Sequence, residues 1–337
     1  MPKSEFRRNL ITKRWVVIAA ERSRRPLELR HMSVLEQKNP DICPFCPGNE
    51  AQTPPTILSY AKDDGSGWKI RVFANKYRAL SIEGKLDKQK RGIFRNMNGM
   101  GAHELIVTTP EHKTLYELSD SEMNDTLWAC KDRMLDLKKA VDEGEPKIYY
   151  IIIFGNQGET AGGSQKHGHL QLIGLPIAPE DSWKELSNCE EYWDEENECL
   201  FCNLTAQESE EKTRIVSEND NFLSICDYSG KFPFETWILP RNHRPLFEDS
   251  TDKNIRALAE VAMDTLRRIG KALNYPPFNL YFHNTPLHDR NHDRYYHFNI
   301  KIIPRLSQPA GFELGTGFYI NPIIPEDAAR ILREVKL

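Results

Sequence analysis

Residues 167–171 read HGHLQ, inside the longer stretch FGNQGETAGGSQKHGHLQLIGLP at residues 154–176. In a β-strand, alternate side chains point to the same face, so His167, His169 and Gln171 would share one small surface. Two imidazoles and an amide on one surface indicate a functional site. The question is which histidine has a structural role and which one reacts.

The composition allows one large or two moderate domains, since 337 residues can bury a sizeable core. The formal net charge of −4 does not indicate a broad nucleic-acid-binding surface and favours a small or locally recognised substrate. The N-terminal residues lack the apolar segment of a signal peptide, and no apolar run is long enough to span a bilayer. We therefore expect a cytoplasmic protein that binds neither membrane nor nucleic acid.

The seven cysteines are informative through their spacing. Cys43 and Cys46 form one C-x-x-C pair, and Cys199 and Cys202 form a second. In a reducing compartment such pairs are more often metal ligands or redox centres than structural disulfides. Redox-active or merely buried thiols are the alternative, although neither pair opens a thioredoxin-like βαβ pattern. Two pairs in one chain favour metal.

The order of motifs is the same in both parts of the chain. Each C-x-x-C pair is followed by a histidine, a helical apolar pattern, an apolar strand pattern and a second histidine. These elements are His112, 119–144, 148–158 and His167 in the first part, and His243, 250–274, 279–286 and His297 in the second. Ser119 and Glu122 have capping-box spacing at the start of the first helical pattern. The two histidines are 55 residues apart in the first part and 54 in the second, so we infer two tandem copies of one unit.

Each copy supplies two thiolates and two imidazoles, the set of donors that suits a tetrahedral zinc ion. We therefore predict two zinc ions per chain. The predicted ligands are Cys43, Cys46, His112 and His167 in the first copy, and Cys199, Cys202, His243 and His297 in the second. His283, His288 and His292 lie near the second site and could replace a ligand, with a solvated-loop role as the simpler interpretation.

The two copies differ at the HGHLQ motif. Alignment of His167 with His297 places Asn299 opposite His169 and Lys301 opposite Gln171. Only the first copy keeps the second imidazole and the glutamine, so the chemistry belongs to the first copy. If His167 binds metal, His169 remains available as a nucleophile or general base.

A glycine-rich, polar segment precedes this motif. It contains Gly155, Asn156, Gln157, Gly158, Gly162, Gly163 and Ser164. Such a backbone can approach a ligand closely and offer N–H donors to an anion, so phosphate is the expected ligand and Asn156, Gly163 and Ser164 are candidate contacts. A neutral imidazole is a competent nucleophile at phosphorus near pH 7. The alternative, that the segment is only a turn, becomes weaker beside HGHLQ.

These motifs resemble the galactose-1-phosphate uridylyltransferase family, a duplicated branch of the histidine triad superfamily. HGHLQ is similar to the H-P-H-x-Q signature, and the resemblance extends over nearly the whole chain through ITKRWVVIAAERSRRP, CPFCPGNE, FANKYRAL, TTPEHKTL and GFELGTGFYINPIIPEDAARILREV. FANKYRAL and the last segment are also similar to plant-type ADP-glucose phosphorylase, a sister group. The resemblance implies an α+β fold of two tandem histidine-triad-like units, at residues 1–178 and 179–337. These units would form a continuous antiparallel sheet with helices packed outside, in a homodimer.

The family works by double displacement through a nucleotidyl-histidine intermediate, and the resemblance assigns site residues. His169 matches the nucleophile that attacks the α-phosphorus of a nucleotide sugar, while Gln171 and Ser164 match contacts to the phosphoryl oxygens, where charge shifts in the transition state. Other matching positions are Arg22 and Arg25 near the phosphates, Asn75 at the nucleoside, and Glu313 and Asn321 at the hexose. An ordinary surface role is the alternative for the two arginines.

Three positions depart from the family pattern. Gly168 replaces a proline, which removes no functional group, whereas Lys76 replaces an aspartate after Asn75 and Asn321 stands where a glutamine is frequent. The departures at Lys76 and Asn321 leave the identity of the substrate open. We expect UDP-glucose:hexose-1-phosphate uridylyltransfer, with ADP-glucose phosphorolysis as the alternative within the family. A histidine-triad nucleotide hydrolase and a zinc-stabilised nucleotide-binding module without catalysis are lesser alternatives.

Overall fold

The computed structural model describes residues 4–24, 34, 43–142 and 145–337, so the predicted phosphate contact Arg25 lies outside the described residues. The α-helices in these residues are α1 Asp120–Lys138, α2 Glu180–Glu196, α3 Leu200–Glu211, α4 Asp252–Leu273, α5 Gly311–Thr316 and α6 Pro325–Glu334. The strands are β1 Glu5–Arg8, β2 Trp15–Ile18, β3 Thr56–Ala61, β4 Trp68–Ala74, β5 Lys88–Arg91, β6 Phe94–Met97, β7 Ala102–Val107, β8 Val141–Asp142, β9 Glu145–Pro146, β10 Tyr150–Gln157, β11 His169–Leu175, β12 Ile215–Glu218, β13 Phe222–Cys226, β14 Thr236–Pro240, β15 Phe278–His283, β16 Asn299–Pro304 and β17 Tyr319–Asn321. Short 3-10 helices occupy Ala20–Arg24, Glu50–Gln52, Leu115–Glu117 and Glu159–Ala161.

Ten strands form one sheet in the order β12-β13-β14-β16-β15-β10-β11-β7-β4-β3, and every neighbouring pair is antiparallel. The strands from residues 56–175 lie on one side and those from residues 215–304 on the other, joined by β10 and β15. The predicted α+β fold with a continuous antiparallel sheet is therefore confirmed. The domain boundary between residues 178 and 179 stays a prediction. A separate small sheet has the order β1-β2-β17, with β17 parallel to β2.

Both predicted long helices are present, and each begins at a capping box. The Ser119 hydroxyl accepts from the N–H of Glu122, whose carboxylate accepts from the N–H of Ser119 in return. Thr251 and Asn254 make the equivalent pair at the start of α4. Such a cap contributes about 1 kcal/mol, which explains why both helices start where the sequence pattern predicts.

The alternation of side chains gives the sheet two different faces. One face presents buried apolar residues, including Ile70, Val72, Ile106, Leu170 and Leu172, to α1 and α4. Each buried side chain of this kind contributes about 1.5–3 kcal/mol, so the helices are held on this face. The opposite face carries His169 and Gln171.

The opposite face is covered differently in the two halves. In the second half, α2 and α3 pack on it, with Leu186 and Cys189 against Trp237. In the first half, the loop of the first C-x-x-C pair lies there, with Phe45 among the residues packed with Phe73. The same face of the sheet is therefore covered by a loop in the first half and by two helices in the second half. No helix in the described residues is long and apolar enough to cross a membrane.

One detail of the predicted histidine strand is corrected by the structure. Strand β11 begins at His169, so His167 lies two residues before it and is not a strand residue. The N–H of Gly168 donates to the carbonyl of Lys113, and its carbonyl accepts from the Thr108 side chain, so the chain bends here to meet the segment after β7. The absence of a side chain at Gly168 matters, because a Cβ would lie 3.1 Å from the Lys113 oxygen.

Candidate active site and metal centres

The first predicted metal cluster is assembled at one end of the sheet. Cys43 and Cys46 come from the loop before β3, His112 from the segment after β7, and His167 from the residues before β11. The Nδ1 atom of His167 lies 3.6 Å from the sulfur of Cys43 and 3.5 Å from that of Cys46. The Nδ1 atom of His112 lies 3.4 Å from the Cys46 sulfur. One metal ion could contact all four residues.

The orientation of His167 is fixed from the other side of its ring. Its Nε2 atom lies 2.8 Å from the carbonyl oxygen of Thr109, and because a carbonyl can only accept, Nε2 carries the hydrogen. Nδ1 is then unprotonated and faces the two sulfurs. Burial lowers the pKa of His167 to about 4, so the ring is neutral, as a metal ligand must be.

The second predicted cluster has the same composition in a more open position. His243 Nδ1 lies 3.5 Å from the Cys202 sulfur, and His297 Nε2 lies 3.3 Å from the same sulfur. Cys199 and His297 are buried, whereas Cys202 is half-buried and His243 is exposed. A surface cavity of about 610 Å³ is lined by Cys199, Cys202 and His243. The structure thus brings together both predicted sets of four ligands and leaves the second set accessible.

His169 lies beside the first cluster with one ring nitrogen in use. Its Nδ1 atom is 2.8 Å from the carbonyl oxygen of His167, so Nδ1 donates and Nε2 keeps its lone pair. The side chain is buried, and its ring centroid lies 5.2 Å from that of Phe45. Burial lowers the pKa of His169, which keeps the ring neutral near pH 7. The arrangement provides an uncharged, oriented imidazole with an unprotonated Nε2.

The second half keeps this geometry without the chemistry. Asn299 Nδ2 donates to the His297 carbonyl at 3.3 Å, in the manner of His169 and His167. Lys301, at the position of Gln171, forms a buried ion pair with Glu185 of α2 at 3.1 Å. An amide and a paired ammonium stand at the positions of His169 and Gln171.

Gln171 has a partner that the sequence analysis did not identify, namely His103 on β7. The N–H of Ala79 donates to His103 Nδ1 at 3.2 Å, so the ring hydrogen belongs on Nε2. His103 Nε2 lies 3.0 Å from Oε1 of Gln171, which places the glutamine oxygen toward His103 and leaves its NH₂ group as a donor. In the sequence, His103 lies in the strand-like segment GAHELIV at residues 101–107, and this segment does not indicate which other strand it pairs with.

The predicted nucleoside contact Asn75 lies next to the same histidine. Its Oδ1 accepts from the N–H of Tyr77 at 2.8 Å, and its Nδ2 lies 3.1 Å from His103 Nε2. Because both of these nitrogens carry hydrogen in this tautomer, this is a close contact and not a hydrogen bond. Asn75 and Gln171 are therefore both neighbours of His103, and their contacts to a ligand stay predictions.

The glycine-rich segment folds back on the end of β10. Gly158 and Gly162 have φ angles of +88° and +81°, which side-chain-bearing residues rarely adopt. A Cβ on Gly163 would lie 2.4 Å from the carbonyl oxygen of Asn156, so only glycine permits this close approach. Ser164 follows on the surface, three residues before His167.

The remaining predicted contacts lie elsewhere. Arg22 and Glu313 line one cavity of about 400 Å³, whose lining does not include His169 or Gln171. Asn321 is buried: its Nδ2 donates to the carbonyls of Gly230 and Phe232, and its Oδ1 accepts from the N–H of Ile323. In this state the Asn321 amide holds the backbone around β17, and its hexose contact stays a prediction.

Comparisons with known proteins agree with this architecture. The N-terminal domain of galactose-1-phosphate uridyl transferase matches residues 2–179, and its C-terminal domain matches residues 185–335. The ADP-glucose phosphorylase of Arabidopsis thaliana is 34% identical over 340 residues, 99% of this chain and 93% of that protein. The galactose-1-phosphate uridylyltransferase of Thermotoga maritima is 26% identical over 344 residues, 99% of both proteins. A crystal structure of an Arabidopsis thaliana ADP-glucose phosphorylase with bound ADP-glucose has a TM-score of 0.84 at 31% identity and covers 99% of this chain and 100% of that one.

An antiparallel sheet built from two similar halves, together with the two matching domain families, defines the chain as a nucleotidyltransferase. The chain belongs to the galactose-1-phosphate uridylyltransferase family.

Proposed function

We propose that the chain transfers a nucleoside monophosphate from a nucleotide sugar to a phosphate-bearing acceptor, with His169 as the nucleophile. The observation that carries this proposal is the hydrogen bond from His169 Nδ1 to the His167 carbonyl, because it leaves Nε2 unprotonated on the sheet face beside the glycine-rich loop. A protein that only binds a nucleotide does not need an imidazole held with one unprotonated nitrogen.

The reaction would proceed in two displacements. His169 Nε2 attacks the α-phosphorus, a P–N bond forms, and the bond from that phosphorus to the bridging oxygen breaks. The sugar 1-phosphate leaves with this oxygen as a phosphate ester and needs no proton from the protein. A phosphate oxygen of the acceptor then attacks the same phosphorus, and the P–N bond breaks to regenerate neutral His169. The Gln171 NH₂ group would donate to the phosphoryl oxygens in both steps.

We also propose that both Cys/His clusters hold zinc, two ions per chain. Zn–S and Zn–N bonds of about 2.3 and 2.0–2.1 Å at tetrahedral angles separate sulfur and nitrogen by about 3.6 Å. The sulfur–nitrogen distances of 3.4–3.6 Å in the first cluster and 3.3–3.5 Å in the second fit this value. Bound zinc would supply the positive charge that stabilises two neighbouring thiolates and would fix the position of His167.

For the substrate, we propose ADP-glucose with inorganic phosphate as acceptor. Sequence identity favours this member of the family over the UDP-glucose and hexose-1-phosphate pair expected from the sequence. Identity is 34% to an ADP-glucose phosphorylase and 26% to a uridylyltransferase over nearly the same length.

Uridylyltransfer to a hexose 1-phosphate is the second candidate. Glu313 supports it, because its half-buried carboxylate lies in a cavity with Arg22, where a sugar hydroxyl and a phosphate could be held together. A site built to hydrogen-bond hydroxyls rejects acceptors that lack them.

We further propose a homodimer in which this cavity meets the nucleophile of a second copy. In the part of one chain that the structure describes, the lining of the cavity with Arg22 and Glu313 does not include His169. Beside that cavity lies an exposed aromatic cluster of Phe6, Trp15 and Phe318, with ring centroids 6.3–6.4 Å apart. Exposed apolar patches of this kind mark interaction surfaces. Mixing a His169→Asn chain with a Glu313→Gln chain should restore partial activity if the two residues act across the interface.

Incubation with ADP-glucose or UDP-glucose without acceptor tests the function. Intact-mass analysis should reveal a stable nucleotidyl adduct on the chain, formed faster from ADP-glucose and discharged by phosphate. A uridylyl adduct that is discharged by galactose 1-phosphate and not by phosphate would favour uridylyltransfer to a hexose 1-phosphate. Steady release of free monophosphate would indicate a hydrolase, and no reaction at all would indicate a binding module.

A further inference from the structure

Asn279, in the C-terminal half, lies against the glycine-rich segment of the N-terminal half. It is on β15, directly opposite Asn156 on β10, in the strand pairing that joins the two halves of the described sheet. Asn156 shares its face with Phe154, which lies opposite Gln171 on β11. Because paired residues and every second residue share a face, Asn279 lies on the face that carries His169.

The amide of Asn279 fixes the amide of Asn156. Asn279 Nδ2 donates to Asn156 Oδ1 at 2.8 Å and to the carbonyl oxygen of Ala161 at 2.8 Å, which uses both of its hydrogens. Since Asn156 Oδ1 is held as an acceptor, its Nδ2 is turned toward the loop, where it lies 3.9 Å from the position of a Cβ on Gly162. The hydrogen bond from Asn279 therefore fixes the orientation of the Asn156 amide, so that its NH₂ group and not its oxygen faces the loop.

The second hydrogen bond of Asn279 holds the middle of the loop. Ala161 is buried at 7% exposure, between Gly158 and Gly162 with their positive φ angles. The N–H of Gly163 donates to the Gly158 carbonyl at 2.9 Å, so the loop closes on itself around the point that Asn279 holds. Donors aimed at a phosphoryl group are effective when they are oriented before the substrate binds, and misplacement by about 1 Å can cost about 100-fold in rate.

We propose that Asn279 is a positioning residue for nucleotidyl transfer, through which the C-terminal half orients the glycine-rich segment and its residue Asn156. The proposal rests on the proposed function, and it gives the half without a nucleophile a direct part in the reaction. Asn279 acts through Asn156 and Ala161 and is not required to touch the substrate.

Four variants, namely Asn279→Ala, Asn156→Ala, their combination and Asn279→Asp, test the proposal by the rate of adduct formation from ADP-glucose and UDP-glucose. Asn279→Ala should slow the rate constant about 10- to 100-fold, with a smaller change in the substrate concentration for half-saturation. The double variant Asn279→Ala/Asn156→Ala should be little slower than Asn279→Ala alone, since both substitutions remove the same hydrogen bond. Asn279→Asp should be slower than Asn279→Ala, because a carboxylate repels the Ala161 carbonyl and draws the NH₂ group of Asn156 away from the loop. Additive losses, or an aspartate variant as fast as the parent, would overturn the proposal.

Asn188→Ala is the matched control, because Asn188 also donates a side-chain hydrogen bond to a backbone carbonyl, that of Ile11 at 2.9 Å. It should leave the adduct rate unchanged.

Hydrogen exchange provides a readout that does not depend on activity. The amides of Gly162 and Gly163 should exchange faster in Asn279→Ala than in the parent, while those of β11 stay protected. Unchanged exchange at both glycines would refute the positioning role. A parent chain that forms no adduct with either nucleotide sugar would contradict the proposed function instead, and the exchange comparison would then decide the role of Asn279 alone.

Discussion

The imidazole of His169 donates its Nδ1 hydrogen to the backbone carbonyl of His167, with 2.8 Å between the two atoms. The ring of His167 has Nδ1 toward the sulfurs of Cys43 and Cys46. The proposed nucleophile is therefore oriented by the peptide of a residue that the first metal centre would hold. If both proposals hold, metal binding and catalysis are coupled through one carbonyl group.

Replacement of His169 by asparagine should abolish adduct formation while the fold is kept. Asparagine occurs naturally at the equivalent position of the second half, where Asn299 bonds to the His297 carbonyl, so the side chain is compatible with this backbone. Intact-mass analysis after incubation with a nucleotide sugar measures the effect. The variant Asn299→Ala serves as control and should form the adduct at nearly the parent rate. A covalent mechanism on His169 is untenable if His169→Asn still acquires the nucleotidyl group.

Loss of either metal centre should have different consequences. Cys43→Ser should remove one zinc, lower the melting temperature and also slow adduct formation, because His167 then loses its fixed position. Cys199→Ser should remove one zinc and lower the melting temperature, with little effect on the chemical step. Structural zinc can contribute on the order of 10 kcal/mol to folding, so a fraction of this would be visible in melting curves. Two zinc ions per parent chain and one per variant, by elemental analysis, are the expected counts, and zinc-free parent protein would contradict them.

The two centres should also differ in how fast they lose metal. His243 is exposed and the second cluster borders a cavity of about 610 Å³, whereas Cys43, Cys46 and His167 are buried. The Cys43→Ser chain, which retains only the second centre, should therefore release zinc to a soluble chelator faster than the Cys199→Ser chain. A chromogenic chelator follows both reactions. Equal or reversed rates would show that accessibility does not control metal release.

Stability should decrease as pH rises through neutrality because of Asp227. Its carboxylate is buried, and burial together with nearby Glu235 raises its pKa to about 7, above the value of about 3.9 expected in the unfolded chain. The folded state thus binds the proton more tightly, so this contribution is fully present below about pH 4 and is lost as pH approaches and passes 7. Each unit of the raised pKa corresponds to about 1.4 kcal/mol.

The variant Asp227→Asn should remove this pH dependence, because the amide does not ionise and its oxygen can still accept from Asn9, as Asp227 does at 2.9 Å. Denaturant unfolding at pH 5 and pH 8 measures it: the variant should gain stability relative to the parent at pH 8. Asp220→Asn, at an exposed loop position, is the control and should leave the pH dependence unchanged. An Asp227→Asn chain that follows the parent at both pH values would contradict the assignment.

The parts of the fold and site that the sequence predicts are those with short-range or repeated signals. The helix starts at Ser119 and Thr251 follow from local capping chemistry, and the repeated order of cysteines and histidines is sufficient to group both sets of four ligands. The apolar alternation of β10 and β11 predicts strands.

The contacts that the sequence does not predict depend on register between distant strands. His103 meets Gln171 because β7 pairs with β11 across 68 residues, and Asn279 meets Asn156 because β15 pairs with β10 across 123 residues. No local pattern specifies which residues of two such strands lie opposite each other. The environment of Asn321 is equally non-local, since it depends on backbone groups about 90 residues earlier.

His103 should be required to present the correct end of the Gln171 side chain. The hydrogen on His103 Nε2 holds the glutamine oxygen, so the NH₂ group remains for the phosphoryl oxygens. In His103→Ala the amide is free to rotate, and we expect adduct formation to slow about 10- to 100-fold, since one oriented donor at such a transition state is worth up to about 100- to 1,000-fold. His103→Gln, whose amide N–H can take the place of Nε2–H, should recover much of the rate. The loss in His103→Ala should also be small when Gln171 is already alanine. Selective ¹⁵N labelling of histidine reports the tautomer directly: a parent protein with the His103 hydrogen on Nδ1, or losses that add in the double variant, would refute this role.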